Sequence, residues 1–342
     1  MTQPALRTSA MSRETAESAG AVRRLLVHRA AIAKIAQALD VSHAPLAVVC
    51  GRGSSGHAGI YLRYLIETRL SLPVSATAPS VTTALHRPLK LEGALFIAIS
   101  QSGASPDLVA ATQAARDGGA QIVAIVNEPD SAVAQAAHHV LPMLAGEEHS
   151  VAATKSVVAS MVAGAMLVAA IAGDTELTAA LERLPDRLDA AHDLDWTREM
   201  ARLSGAPCAF VVGRGLGLGS AREIALKLAE TLRLPALGYS AAELLHGPRA
   251  AISTTTPVLA LRLNDNTAST VDALVGDLRA DGIAVAICGG PEGDLPWIGD
   301  DMPATDAIAM LIPAYRVIEQ AARAKDFDPD RPPRLSKITR TL

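Results

Sequence analysis

The sequence predicts an α/β protein of two tandem doubly wound domains, each a parallel sheet covered by helices on both faces. Three observations carry that prediction. The 342 residues suffice for two domains with their own cores. A segment around residue 50 recurs around residue 210. Strands alternate with helices through both halves, the pattern of buried parallel sheets. Hydrophobic residues make up 49%, aromatics 3% and charged residues 19%, a balance suited to tight helix-on-strand packing rather than disorder.

In chain order, residues 1–45 read as an N-terminal helical segment and 46–175 as the first domain. Its opening strand, Leu46 to Cys50, runs into a Gly51-Arg52-Gly53 turn, a helix containing Glu67-Thr68, and a second strand started by Leu72-Pro73. Ala94 to Ile99 reads as a strand, Asp107 to Asp117 as a helix and Gln121 to Val126 as a strand. Val157 to Ala172 is almost wholly apolar, but it falls short of the roughly 20 residues that span a bilayer, and Lys155 and Asp174 bracket it. It is expected to be a buried helix, so no membrane partner is expected.

Residues 176–202 are charged and helical in pattern and form the expected connection. The second domain, 203–325, repeats the first: a strand from Ala209 to Val212, a Gly213-Arg214-Gly215 turn, a helix containing Glu230-Thr231, then Leu234-Pro235. Val258 to Leu263, Thr267 to Ala280 and Ala284 to Cys288 continue as strand, helix and strand. Residues 326–342 form a tail rich in Pro and Arg.

Charge and cysteine usage exclude several functions. The net charge is −4 and no Lys/Arg run is interleaved with aromatics, so no nucleic-acid partner is expected and any anionic ligand should be small. Cys50, Cys208 and Cys288 lack metal spacing and read as reduced structural thiols; no metal is expected. The N-terminus lacks the charge order of a secretory signal, which makes a cytoplasmic location the expectation. Gly51, Gly53 and Gly56 spell GxGxxG, yet no acidic residue ends the following strand to hold a ribose, and Leu218 breaks the spacing in the repeat. No dinucleotide or other cofactor is therefore expected. Arg52 and Arg214 are either salt-bridged turn residues or ligand contacts.

The first chemical signal is Ser100-Gln101-Ser102-Gly103-Ala104-Ser105-Pro106, set between a strand and a helix. Hydroxyls around a glycine turn, with the free N–H groups and positive end of the helix behind them, suit a phosphate monoester. Ser54 and Ser55 at the neighbouring turn add two hydroxyls. Ser105 could simply cap the helix ahead of Pro106, but capping explains one serine, not five around two turns. The repeat has Arg262-Leu263-Asn264-Asp265-Asn266 at this place, so only one cradle is expected.

The second signal lies on the helix around Ser220 to Glu230, where Glu223, Lys227 and Glu230 share one face. Such a stripe also decorates solvated helices, so spacing alone leaves both readings open. The flanking residues point further. Ser100-Gln101-Ser102-Gly103, Val151-Ala152-Ala153-Thr154-Lys155, the Glu223/Lys227/Glu230 helix, Ala242-Glu243-Leu244-Leu245-His246-Gly247-Pro248 and Pro333-Arg334-Leu335-Ser336-Lys337 occur together in one order. In this the chain resembles the sugar isomerase (SIS) domain family, and within it the isomerase half of the glucosamine-6-phosphate synthases, from about Leu46 to the C-terminus.

The resemblance implies two flavodoxin-like SIS domains and a sugar-phosphate substrate. It implies that Ser55, Ser100, Gln101, Ser102 and Ser105 bind the phosphate, that Glu230 shuttles a proton between C1 and C2, that His246 opens the ring and that Lys337 contacts the open-chain sugar. Glu223 and Lys227 match positions that order the site, and Val151 one that lines the sugar. The resemblance also implies a homodimer in which His246 reaches the partner's pocket. The chain departs from the synthases at Ala242, where they usually carry glycine, and in opening with Met1-Thr2-Gln3 and reaching its first strand by Leu46. Glutamine is thus not the expected ammonia source, and the tail from Asp326 looks like that of single-chain amino-sugar phosphate deaminases. The expected reaction takes glucosamine 6-phosphate and water to fructose 6-phosphate and ammonia by proton transfer in a partly desolvated pocket. Galactosamine-phosphate deamination, fructosamine-phosphate deglycation and a non-catalytic sugar-phosphate sensor are the alternatives.

Overall fold

The computed structural model describes residues 8–337. Three short helices open it: α1 (Ala10–Ala16), α2 (Ser18–Val27) and α3 (Arg29–Ala38). The first half continues β1 (Ala47–Cys50), α4 (Gly53–Leu70), β2 (Val74–Ala76), α5 (Ser80–Thr83), β3 (Leu95–Ser100), α6 (Pro106–Asp117), β4 (Gln121–Val126), α7 (Ala132–Ala136), β5 (His139–Pro142) and α8 (Lys155–Ala172). Two helices, α9 (Thr175–His192) and α10 (Thr197–Gly205), lead to the second half. That half runs β6 (Ala209–Gly213), α11 (Gly217–Leu232), β7 (Ala236–Ser240), α12 (Ala241–Leu245), β8 (Val258–Leu261), α13 (Ala268–Ala280), β9 (Val285–Cys288), α14 (Pro303–Ala309) and α15 (Leu311–Ala324).

All strand pairs are parallel. The first sheet has the order β2-β1-β3-β4-β5 and the second β7-β6-β8-β9, so the architecture is two flavodoxin-like doubly wound units. Their strands are short apolar runs buried on both faces, such as Leu95–Ser100 and Val258–Leu261. In each sheet the strand order reverses beside the first strand, which opens a crevice at the carboxyl ends of β1 and β3 and of β6 and β8.

The apolar segment around Val157 is a core helix. Lys155 through Ala169 of α8 are all buried, and α2, α3, α4 and α9 surround it. An all-round apolar surface is what such enclosure requires. The predicted connection is α9 and α10; α9 keeps Pro185 inside it.

The two halves share one hydrophobic core, in which α4 and α11 cross closely. Gly219 makes that approach possible: a Cβ there would lie 2.8 Å from the His57 carbonyl oxygen and 3.0 Å from the Tyr61 side chain. The sequence reading did not anticipate α14 and α15, which follow β9 where the first half has its fifth strand. All three cysteines are free, and burial pushes the Cys50 thiol up to about 11, as suits a structural thiol.

Candidate functional site

The α4–α11 crossing builds the acid–base cluster. Its centre is Lys227, whose side chain is 0% exposed. Its Nζ lies 3.1 Å from Glu223 Oε1 and donates to Glu230 Oε2 at 2.7 Å and to Ser54 Oγ at 2.9 Å. Three donors meet three acceptors, two of them about two turns apart on its own helix and one from the start of α4. Glu223 is buried too: Ser54 Oγ donates to it at 3.1 Å, Tyr315 Oη at 3.2 Å, and His57 Nδ1 lies 2.9 Å away. Burial alone would raise its carboxyl, but the Lys227 ammonium and His57 override that and hold it below the ordinary carboxylate range. Burial would likewise lower Lys227, and the two glutamates reverse this, holding it firmly protonated.

Glu230 is the member of the stripe that reaches open space. Its side chain is 21% exposed, and it lines a cleft of about 440 Å³ at the carboxyl ends of β1 and β3. Across the cleft stand Ser54, Ser55, Ser100, Gln101, Ser102 and Ser105. Ser100 Oγ accepts from the Gly103 amide at 3.0 Å and Ser102 Oγ from that of Ala104 at 3.3 Å, which fixes both oxygens and leaves their O–H groups to donate elsewhere. Gly103 has φ 59°, and a Cβ there would lie 1.9 Å from Ser131 Oγ, so the turn requires glycine. Ser105 occupies the N-cap of α6, yet its side chain makes no cap bond, and the hydroxyls of Ser55 and Ser105 have no partner among the described residues. The N-terminal turns of α4 and α6 both open here; in α6 Pro106 has no N–H and Asp107 Oδ1 already accepts from the Leu108 amide at 2.9 Å, so α4 presents the freer amides to an anion. Ser54 is the exception within the serine set: its hydroxyl is already committed to Glu223 and Lys227.

Arg52 is the salt-bridged turn residue of one sequence reading, and it also borders the cleft. Its Nε donates to the buried Asp107 carboxylate at 2.8 Å, while the guanidinium, 56% exposed, lines the cleft. Val151 and the tail close the remaining side through Leu335, Ser336 and Lys337. Lys337 donates to Glu148 Oε2 at 3.2 Å and to the Ser150 carbonyl. His246 is not in this cleft. It is exposed at the end of α12, with its amide bonded to the Glu243 carbonyl.

Three participants escaped the sequence reading. His57 had a local signal, since it sits three residues after Ser54 on α4 and so shares its face. Tyr315 had none, since it meets Glu223 across 92 positions of chain, and the contact that brings Glu148 to the site, with Lys337, spans 189.

The SIS domain model matches residues 40–170 and 202–296. A glutamine–fructose-6-phosphate aminotransferase (isomerizing) of Methanothermobacter thermautotrophicus is 34% identical over 343 residues, covering 96% of this chain and 56% of the relative. That of Symbiobacterium thermophilum is 34% identical over 316 residues, covering 85% of this chain and 50% of the relative. The chain thus spans about half the length of the curated relatives it matches. A Silicibacter pomeroyi structure, designated a phosphosugar isomerase by inference, is 38% identical with TM-score 0.90 over 94% of this chain and all of that one. The fold is also that of a Thermotoga maritima glucosamine-6-phosphate deaminase, at 21% identity and TM-score 0.79 over 97% of this chain and 100% of that one.

Proposed function

The chain belongs to the SIS domain family, and on that premise we propose that it is a sugar-phosphate aldose–ketose isomerase working as a deaminase, which converts glucosamine 6-phosphate and water to fructose 6-phosphate and ammonia. The observation that carries this reading is the single cleft lined on one side by the Glu230 carboxylate and on the other by the serine cradle.

The phosphate sits on the free amides at the start of α4 and the hydroxyls of Ser55, Ser100, Ser102 and Ser105, with the Arg52 fork beside it. That anchors the far end of the open-chain sugar and brings C2 to Glu230. Glu230 takes the C2 proton, giving an enolamine, and returns it to C1. The product is an imine at C2 bearing a CH₂OH group; water adds to it and ammonia leaves. Lys227, buried with all three donors spent, holds Glu230 in place. Lys337 supplies a cation from the tail towards the oxygen on C1 as it gains negative character. His246, exposed and outside its own chain's cleft, falls under this reading to the cleft of a second copy, where it opens the ring.

The relatives' printed activity joins fructose 6-phosphate to an amino group. That reaction and the proposed one share the C1–C2 proton transfer. The test is Glu230→Gln, with ammonia release from glucosamine 6-phosphate and loss of the C2 proton to D₂O both followed. Both should fall by about 10²-fold or more, while the phosphate sugar still binds. Wild-type protein that binds sugar phosphates and turns over no amino-sugar phosphate would instead be a sensor.

A further inference from the structure

We propose that helix α1 belongs to the substrate site at one remove: Glu14 and Asp330 are positioning residues that hold the Val151 loop and the Lys337 tail against the cleft. The proposal rests on the reading of the cleft just given.

The tail leaves α15 at Lys325 and reaches Lys337 with neither helix nor strand. Asp326 and Arg334 are left-handed, with φ 58° and 67°. Most of the last stretch is exposed; its apolar anchors are few, chiefly Phe327 beneath Arg233 at 4.1 Å and the buried Pro329 and Pro332. A segment of this kind takes one course only where polar bonds impose it.

Asp330 supplies those bonds in two directions. Its carboxylate accepts from the Ala10 amide at 2.7 Å and the Met11 amide at 2.8 Å, two of the amides at the start of α1 that no helical carbonyl can satisfy. Its carbonyl accepts from the Val151 amide at 3.0 Å, so the same residue joins α1 to the loop that lines the cleft. One turn further along α1, the buried Glu14 carboxylate accepts from the His149 amide and from that of Ser150 at 3.2 Å. The Ser150 carbonyl in turn receives Lys337. Glu148 completes the loop: it is buried and accepts from the Thr154 amide, the Ser156 amide and the Ser156 hydroxyl as well as Lys337. Ser9 Oγ donates to Glu319 Oε1 at 2.7 Å, which fastens the start of α1 to α15.

No atom of Glu14 or Asp330 lines the cleft, yet two residues that do, Val151 and Lys337, hang from them. The consequence is that the N-terminal helix sets substrate affinity without touching substrate.

Asp330→Asn and Glu14→Gln test this, since each amide keeps one acceptor oxygen and turns an NH₂ towards a backbone N–H. Hydrogen exchange without substrate should accelerate about tenfold or more at residues 148–152 and 334–337 and nowhere in the two sheets. KM for glucosamine 6-phosphate should rise about tenfold with kcat within about threefold, the result of weakening one charge-assisted bond. Unchanged local exchange in both variants, or a fall in kcat at constant KM, overturns the proposal. If Asp330→Asn fails to fold, Glu14→Gln decides. Because exchange is read without substrate, a wild type that releases no ammonia while the variants show local acceleration leaves the clamp standing and removes only the substrate assignment.

Discussion

Replacing Lys227 with Met keeps most of the side-chain volume and removes the charge, and the structure sets the cost. All three Nζ donors are used, on Glu223, Glu230 and Ser54, and the side chain is 0% exposed. Without it Glu223, itself 1% exposed, keeps His57, Ser54 and Tyr315 as neighbours but loses its one buried cation. Breaking one side of a buried ion pair costs about 3–5 kcal/mol. Glu230 adds little, because at 21% exposure it can recruit water. With about 2–4 °C per kcal/mol for a chain of this size, Tm at neutral pH should fall by about 10 °C. The pH dependence has a definite sign. Lys227 holds the Glu223 carboxyl below its ordinary 4.5, so the stability it confers is present above that pH and lost as pH falls through the lower, folded-state value. In the variant, burial is opposed only by His57 and the Ser54 and Tyr315 hydroxyls, and the carboxyl moves up, so protonation relieves the stranded charge. The gap between wild type and Lys227→Met in thermal melts followed by circular dichroism should therefore narrow on acidification. A Tm difference under about 2 °C at neutral pH, or a gap that widens in acid, refutes the account of the cluster.

Two further outcomes follow. Arg52→Ala should raise KM for the sugar phosphate about tenfold, with Arg52→Lys recovering part of it, and the effect should weaken below about pH 6, where the phosphate becomes a monoanion; steady-state kinetics that show a change under twofold would leave Arg52 as the salt-bridge partner of Asp107 alone. Burial pushes the Asp306 carboxyl up from 3.8 to about 6 against the pull of Arg187, so its ionisation costs stability that is intact below pH 3.8 and lost as pH rises through about 6. At 1.36 kcal/mol per pKa unit, the stability of wild type relative to Asp306→Asn should fall by about 3 kcal/mol across that window in urea titrations.

The alternation of apolar runs with amphipathic segments was enough to read every strand except β5, because strands buried on two faces are almost wholly apolar, whereas His139–Pro142 at the sheet edge is only partly buried. The serine turn and the α11 stripe were legible for a similar reason: their members are close in sequence. Ser54 shows where that reading stops. Its type and neighbourhood matched the cradle, but its hydroxyl is spent on Glu223 and Lys227, a commitment set by the packing of two helices distant in sequence. His246 shows the opposite limit, for the residues around it give no sign of which cleft its ring faces. Glu14, Glu148 and Asp330 could not be connected to the site from sequence, since the bonds that tie them to the Val151 loop, the tail and α1 each span 135 positions or more.

The glycine at position 219 has a consequence for how this protein can change. Acid and anion holder belong to different halves, so the gap between them is a gap between two rods, measured out by what lies at their point of contact. Even one methyl group there would push the rods apart and carry the carboxylate away from the carbon it must reach, whatever residues were kept at either end. Substrates of a different length could be accommodated by resizing that contact, with the reacting groups themselves left untouched.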